Sequence, residues 1–568
     1  MSKMKLINLF LVLIAVSCSS VRDNGAVPEN MEKSTAYFDY FNYTGNDDYY
    51  NQQAPLADNE IFNPILPGWY SDPSICTNGE DYFLVTSTFV FFPGVPIFHS
   101  KDLVNWKQIG HVLDRESQLE NFIGQGTSRG IFAPTIEYNP YNETYYMITT
   151  NVGAGNFFVK TKDPFGSWSD PIYLPEVGGI DPSFFFDDNG KAYILNNDEP
   201  FGGSTYEGHR AIRIREFDVE NDKVIGEEKM IISGGVNIDE KPIWIEAPHL
   251  YKIDGRYLLM AAEGGTGPGH SEVIFSTDSP MGEYIPWSTN PILTQRHLDN
   301  DRPYPITCVG HADLIQAKNG DWFAVYLACR PIDGVIENLG RETFMIPVKW
   351  SEDGFPYMTQ GDELVPMRVA NRDFKKNEDY IGGNFSKNDT FDAEELNYDW
   401  MTLRRDAKNL YSLTDNSGFL SLKCGEEKST GMDVPAIVLR RLQHHQFESE
   451  TKMFFEPSNE NEAAGMILYK DEEHQYFMAV RKVDDKKEIR LEKISGEDKS
   501  ETLSSKVLKN VDAPIYMKIT SDGYKFNFYY ATEINKWNIL LEDVDANFLS
   551  THVAGGFTGT LVGMYAEK

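Results

Sequence analysis

Three acidic residues sit in closely related settings: Asp72 in "YSDPSI", Asp181 in "GIDPSF" and Glu246 in "IWIEAPHL". Each leads into a short apolar run, where an acid adds neither strand propensity nor core packing. Two carboxyl groups facing each other across a pocket are what hydrolysis of a glycosidic bond needs. One, protonated, gives its proton to the leaving oxygen; the other attacks the sugar or activates water. A third carboxylate nearby raises the acid's pKa by like-charge repulsion. Structural readings compete with this chemistry. Asp-Pro starts turns, and the chain has four such pairs, at Asp72, Asp163, Asp170 and Asp181. Asp163 and Asp170 lie in loop-like sequence and read as turns. Glu246, between Ile-Trp-Ile and Ala-Pro, has a structural salt bridge as its plain alternative.

What lifts Asp72 and Asp181 above the turn reading is a repeat. Five segments share one plan: "DPSICTNGEDYFLV" from Asp72, "APTIEYNPYNETYYMI" from Ala133, "DPSFFFDDNGKAYIL" from Asp181, "APHLYKIDGRYLLM" from Ala247 and "HADLIQAKNGDWFAVY" from His311. Each runs from a small or polar residue into an apolar strand, turns at Asn/Asp-Gly or an Asn-rich equivalent, and returns through an aromatic strand. The starts are 61, 48, 66 and 64 residues apart. A second signature follows in three units, "HSKDLVNW", "KTKDPFGSW" and "FSTDSPMGEY". Four short strands per unit and almost no helical periodicity predict an all-β chain with a five-bladed β-propeller over residues 61–367. Innermost strands line a propeller axis, so Asp72, Ala133, Asp181, Ala247 and His311 form a ring, with Glu246 at its rim. Alanine at two equivalents shows that the turn itself does not require Asp. For His311, a satisfied axial histidine and a ligand of a central ion are both open.

Beyond the repeats, alternating strands from "TFDAEELNYDWMTLR" onward predict a β-sandwich over 390–568. Residues 19–60 read as a polar tether, with packing of "AYFDYFNY" as the alternative for that run, and 368–389 as a linker. The N-terminus, "MSKMKLINLFLVLIAVSCSS", carries two lysines and an apolar run too short to span a bilayer as a mature helix, which reads as a signal peptide over 1–18. Cysteine straight after small residues resembles a bacterial lipoprotein signal, with lipidation at Cys18. The alternative is an ordinary signal peptide with an incidental cysteine. Export places the protein in the periplasm or anchored at the outer membrane, with the periplasm favoured and a lipid anchor as the one membrane contact. Cys76, Cys308, Cys329 and Cys424 lack metal-ligand spacing and read as buried free thiols, with pairing of some of them in an exported protein as the alternative. Fifty-two Lys and Arg against 86 Asp and Glu give a net charge of −34. That charge excludes nucleic acid and anionic surfaces as partners and fits a neutral substrate.

Together, "NPILPGWYSDPSI", "STFVFFPGVPIFHSKDLVNW", "GIDPSFFFDDNGKAYI", "IWIEAPHLYK", "GHADL" and "LGRETF" resemble glycoside hydrolase family 43. "GGFTGTLVGMYA" resembles the accessory domain of its β-xylosidase branch. The resemblance implies an inverting enzyme that needs no cofactor for its chemistry. Asp72 is then the general base, Glu246 the general acid about 6.5–9.5 Å away, and Asp181 the pKa-modulating, orienting residue. It also implies sugar contacts from Arg341, aromatic walls at Phe89 and Phe132, and Phe557 extended over the pocket from the sandwich. His311 matches an axial histidine that in some members is linked to a structural calcium ion. Phe132 stands where the xylosidase branch usually has Trp, and "YSDPS" replaces its usual Pro-Asp-Pro-Ser. The implied activity is exo-removal of terminal α-L-arabinofuranosyl, or also β-D-xylosyl, residues from arabinoxylan, xyloglucan or their oligosaccharides. The alternatives are a β-xylosidase on xylo-oligosaccharides and a non-catalytic glycan-binding lipoprotein on the same fold.

Overall fold

A one-residue bulge recurs at the head of every blade. In the computed structural model, which describes residues 26–509 and 513–568, the innermost strands of blades II to V are Ile131–Asn139, Ile180–Phe186, Glu246–Ile253 and Thr307–Gln316. Their pairing slips between Phe132 and Thr135, Ile180 and Ser183, Glu246 and His249, and Gly310 and Asp313. Blade I, from Ser74–Thr77, shows the same offset: Ser74 faces Val85, while the Ser87 amide reaches the Ser71 carbonyl. The unpaired residues are the expected ring, and all five are left-handed: Asp72 (φ 54°), Ala133 (37°), Asp181 (52°), Ala247 (49°) and His311 (54°). A β-carbon in this region costs on the order of 1 kcal/mol or more. A bulge re-aims its side chain, here from the sheet toward the axis. Proline follows in four of the five because the bulge leaves its position without a ladder bond.

Two residues further along, a second ring ties the blades together. Thr135 Oγ1 donates to the Pro182 carbonyl (2.9 Å) and Ser183 Oγ to the Pro248 carbonyl (2.5 Å). His249 Nδ1 lies 3.5 Å from Asp313 Oδ1. Asp313 Oδ2 accepts from Ser74 Oγ (2.8 Å) and the Ile75 amide (2.9 Å), and Ser74 Oγ accepts from the Ile136 amide (3.0 Å). The circuit closes around all five blades, which explains the Ser or Thr after three of the four ring Asp-Pro and Ala-Pro pairs; His249 takes that place in the fourth.

Blades I, II and III each have four strands; blade V has three, Thr307–Gln316, Trp322–Cys329 and Glu342–Pro347. Chain from before blade I completes it: Leu66 and Thr343 exchange backbone hydrogen bonds, and the buried Asn63 amide pairs with both backbone groups of Met345 (2.8 and 2.9 Å). The propeller is thereby closed by its own N-terminal segment.

The sandwich has a six-stranded sheet, led by Ala436–Arg441 and ending with Leu561–Glu567 at its second position, packed on an eight-stranded one. Here the structure corrects two expectations. The tether assigned to 19–60 contains the strand Thr35–Gly45, which pairs with Gln446–Phe455 and Leu420–Lys423 inside the larger sheet. Its aromatic run is too apolar to stay solvated: Phe38, Phe41 and Tyr43 are fully buried. The linker at 368–389 is also structured: Arg368–Ala370 pairs with Glu60–Phe62, and Ser386–Asp389 with the same N-terminal strand. These pairings rest on backbone bonds that polar sequence does not advertise. The two domains share one apolar cluster, in which Trp69, Phe89 and Phe91 meet Ile437, Leu439, Tyr469 and Tyr565. Arg441, from the sandwich, stacks on Trp69 and Tyr70 at 4.2 and 4.1 Å and donates to the Trp69 carbonyl. The signal segment and Cys18 lie outside the described residues.

Candidate active site

Asp72 is buried and held by three neighbours. Arg341 Nη1 donates to its Oδ1 at 3.0 Å, Ser87 Oγ donates to Oδ2 at 2.5 Å, and His311 Nδ1 stands 3.9 Å from Oδ1. Ser87 is itself fixed by the Ala133 amide, the head of the next blade (2.8 Å). Burial pushes the Asp72 carboxyl up, but the Arg341 charge first and the Ser87 hydroxyl outweigh it and leave the pKa below its ordinary value. His311 is pushed down to about 3, chiefly by burial, and so stands neutral.

Asp181 and Glu246 go the other way. Asp181 Oδ2 accepts from the Ala247 amide at 3.2 Å. Burial, then the charge of Asp72, raises it to about 7. Glu246 is raised well above the carboxylate range by burial first, then by the charges of Asp181 and Asp72; Arg341 and Arg210 partly oppose this. Three carboxyl groups that act on one another thus divide into one kept ionised and one kept protonated, with the third titrating between them. This is the division acid–base catalysis needs.

A wall of three phenylalanines adjoins them. Phe89 stacks on Phe557 (6.1 Å) and meets Phe132 edge-on (5.6 Å), as Phe132 does Phe557 (5.6 Å). Phe89 is 1% exposed, so it backs the wall, while Phe132 and Phe557 are only partly covered. Phe557 arrives from the sandwich through a close backbone approach. A β-carbon on Gly340 would lie 2.6 Å from the Gly559 nitrogen, and one on Gly559 2.5 Å from the Leu339 carbonyl oxygen, so glycine is required on both sides. The loop is anchored by Thr560 N to the Asn338 carbonyl (2.7 Å) and Phe557 N to Ser128 Oγ (2.9 Å). Its ring lies 5.2 Å under the Arg341 guanidinium.

The expected residues Asp72, Asp181, Glu246, His311, Arg341, Phe89, Phe132 and Phe557 are therefore joined in one cluster, by direct contact or by charges that act on one another. Asp163 and Asp170 are not: Asp163 Oδ1 caps a turn by accepting the Phe165 amide, and Asp170 pairs with Arg115 on the surface. The calcium expectation finds no fitting site. Among the described residues no group of three or more His, Cys, Asp or Glu is arranged to hold a metal ion. Both Asp313 oxygens beside the axis are engaged by Ser74, Ile75 and Tyr251. Cys76, Cys308, Cys329 and Cys424 are buried free thiols.

Sequence reasoning missed several supports. Ser87 and Thr266, the latter accepting from Arg341 Nη1 (2.8 Å), lie in loops without a repeat position. Lys470, fully buried in the sandwich, donates to Thr551 Oγ1 (3.0 Å) and the Thr558 carbonyl, and its charge acts on the half-buried Glu337 of blade V. It clamps the loop that carries Phe557. Asp313 was within reach: superposing the five repeats sets it level with Ser74, Thr135, Ser183 and His249.

Comparison with known proteins adds independent findings. The family model for Glycosyl hydrolases family 43 matches residues 61–356, and that for the beta-xylosidase C-terminal concanavalin A-like domain matches 388–568. A xylosidase/arabinosidase of Butyrivibrio fibrisolvens is 39% identical over 515 residues, spanning 89% of this chain and 95% of its own. The non-reducing end alpha-L-arabinofuranosidase BoGH43B of Bacteroides ovatus is 35% identical over 518 residues, 90% and 92% of the two chains. Among solved structures, a GH43_12 protein retrieved from the capybara gut metagenome superposes with a TM-score of 0.87 at 41% identity, covering 94% of this chain and all of that one.

Proposed function

Since the chain belongs to glycosyl hydrolase family 43, we propose that it is an exo-acting, inverting hydrolase that removes terminal α-L-arabinofuranosyl residues from hemicellulose such as arabinoxylan or xyloglucan, and from their oligosaccharides. A β-D-xylosyl terminus is the second substrate, because the two pentosides present similar hydroxyls near the anomeric carbon. One observation carries the reading: Asp72, gripped by Arg341 and Ser87, lies close enough to Asp181 and Glu246 for the three carboxyl groups to act on one another, while Asp181 accepts the amide next to Glu246. A water oxygen bonds to the anomeric carbon on the face opposite the leaving group while its proton passes to Asp72. The glycosidic bond breaks, and the leaving oxygen takes the proton of Glu246. The sugar leaves with inverted configuration, and solvent returns a proton from Asp72 to Glu246. This geometry calls for about 6.5–9.5 Å between the two carboxyl groups. Arg341 offers sugar hydroxyls a fixed fork of donors, and Asp181 orients and modulates. Phe132 and Phe557 cover the ring of the terminal sugar, which supports exo-action. Relatives named as xylosidase/arabinosidase and as a non-reducing end arabinofuranosidase support the pentose assignment.

The test is hydrolysis of aryl α-L-arabinofuranoside and aryl β-D-xyloside, with the anomer first released read by proton NMR. Asp72→Ala should abolish both activities. Glu246→Ala should spare substrates with good leaving groups relative to poor ones. Turnover of neither pentoside, or retention of configuration, refutes the proposal. The N-terminal pattern further supports export and a lipid anchor at Cys18, in the periplasm. Palmitate incorporation lost in Cys18→Ser is the expected result.

A further inference from the structure

On the acid's side of the site the chain before Glu246 passes from exposed to buried and back to half-buried. Ile243 is 42% exposed, Trp244 half-buried, Ile245 fully buried and Glu246 half-buried. Trp244 and Glu246 are thus both partly open, with the buried Ile245 between them. Trp244 is held in a left-handed conformation (φ 52°), a strained position for a bulky residue. Its amide bonds the Gly208 carbonyl (2.8 Å), and Tyr206 secures the preceding turn through the Pro242 carbonyl (2.7 Å). The Arg210 guanidinium lies 4.4 Å over the indole and is near enough to Glu246 for its charge to act on that carboxyl. Across from it, a β-carbon on Gly265 would touch Trp244 at 3.7 Å, and the next residue, Thr266, bonds Arg341. One short loop thus joins the Asp72–Arg341 half of the site to Trp244. None of this is used by the aromatic wall of the terminal sugar, which is built from Phe89, Phe132 and Phe557.

We infer that Trp244, fixed by Arg210, is the platform for the leaving-group sugar, and that the unit it receives is a pyranose of the backbone or oligosaccharide bearing the pentose. The inference rests on the glycosidase reading above. Glu246 delivers its proton to the glycosidic oxygen, so the sugar that departs with that oxygen must lie against what flanks Glu246. An indole presents a flat apolar face to the axial C–H groups of a pyranose, and the guanidinium beside it supplies donors for hydroxyls. Substrates whose leaving group has no ring gain nothing from the platform.

The experiment compares wild type, Trp244→Ala and Trp244→Phe on matched pairs of substrates. For arabinosyl release these are methyl α-L-arabinofuranoside and an arabinofuranosyl-substituted xylo-oligosaccharide; for xylosyl release, methyl β-D-xyloside and xylobiose. Loss of stacking and buried area at one ring is expected to lower kcat/KM of Trp244→Ala on the oligosaccharide about 10- to 50-fold. The methyl glycoside should change less than about threefold, which also shows the variant folded, and Trp244→Phe should recover most of the loss. Equal loss on both members of a pair means that Trp244 acts only by positioning Glu246, and overturns the inference. So does an unchanged rate on the oligosaccharide. Failure of the wild type on every pentoside is a separate outcome, which refutes the glycosidase reading itself.

Discussion

Replacing Asp181 with asparagine isolates what its charge does to Glu246. The substitution preserves shape and an oxygen to accept the Ala247 amide, so the main change is one negative charge. A unit charge about 6 Å away, at an effective dielectric of about 20, is worth ~3 kcal/mol, or roughly 2 pH units on the neighbour's titration. Glu246 must hold its proton to act as the acid. The alkaline limb of kcat/KM should therefore move about 2 units toward acid in Asp181→Asn. Stability gives a second reading. Asp181 is raised from 3.8 to about 7 in the folded protein, so the folded state holds this proton more tightly than the unfolded chain. Relative to acid conditions, the wild type loses stability as pH rises from about 4 through 7, by up to about 4 kcal/mol, and the variant escapes that loss. Pentoside hydrolysis across pH 3–10 and thermal unfolding at pH 4 and pH 8 measure both effects. An alkaline limb that does not move would show that Asp181 does not set the protonation of Glu246, and a stability difference the same at both pH values would show that folding does not raise the pKa of Asp181 itself.

Arg341→Met removes the strongest group that opposes burial at Asp72. The acid limb of kcat/KM should rise by about 2 pH units, and kcat/KM at the optimum should fall about 10²- to 10³-fold. Lys470→Met frees the loop bearing Phe557 without touching the Asp72–Arg341 contact. Steady-state kinetics should show KM up roughly tenfold with an unmoved acid limb, whereas a shifted limb would mean that the loop reaches Asp72 electrically. Ser74→Ala opens the inter-blade circuit and leaves an Asp313 oxygen short of a partner. Urea unfolding should show a loss of about 1–2 kcal/mol with KM for pentoside unchanged.

Much of the site was legible because it is written in a repeat. Asp72 and Asp181 stood out once three equivalent heads carried Ala, Ala and His, and the five left-handed φ values confirm that these positions are equivalent in space. The Phe89–Phe132–Phe557 wall and Arg341 were legible through resemblance alone, since nothing in their own spacing separates a pocket wall from a core. Ser87, Thr266 and Lys470 were not legible: a hydroxyl in a loop or a lysine in a strand takes its role from whatever the fold sets beside it. The tether and linker were misjudged for a related reason. Thr35–Gly45 and Ser386–Asp389 find their partners far away in sequence, as in Thr44 with Ser386 (342 residues) and Ala36 with Phe455 (419), and local pattern cannot report a backbone ladder formed at that distance.

By itself, the sequence determined the blade count, the ring of strand heads and the candidate acids, because hydrophobic alternation and turn chemistry act locally and recur every blade. Only the tertiary structure decided which acid keeps its proton. That choice depends on burial, on Arg341 and Ser87 beside Asp72, and on two like charges beside Glu246. Electrostatic energies fall with distance in space rather than with separation along the chain, so identical carboxyl groups acquire opposite roles only when the blades close.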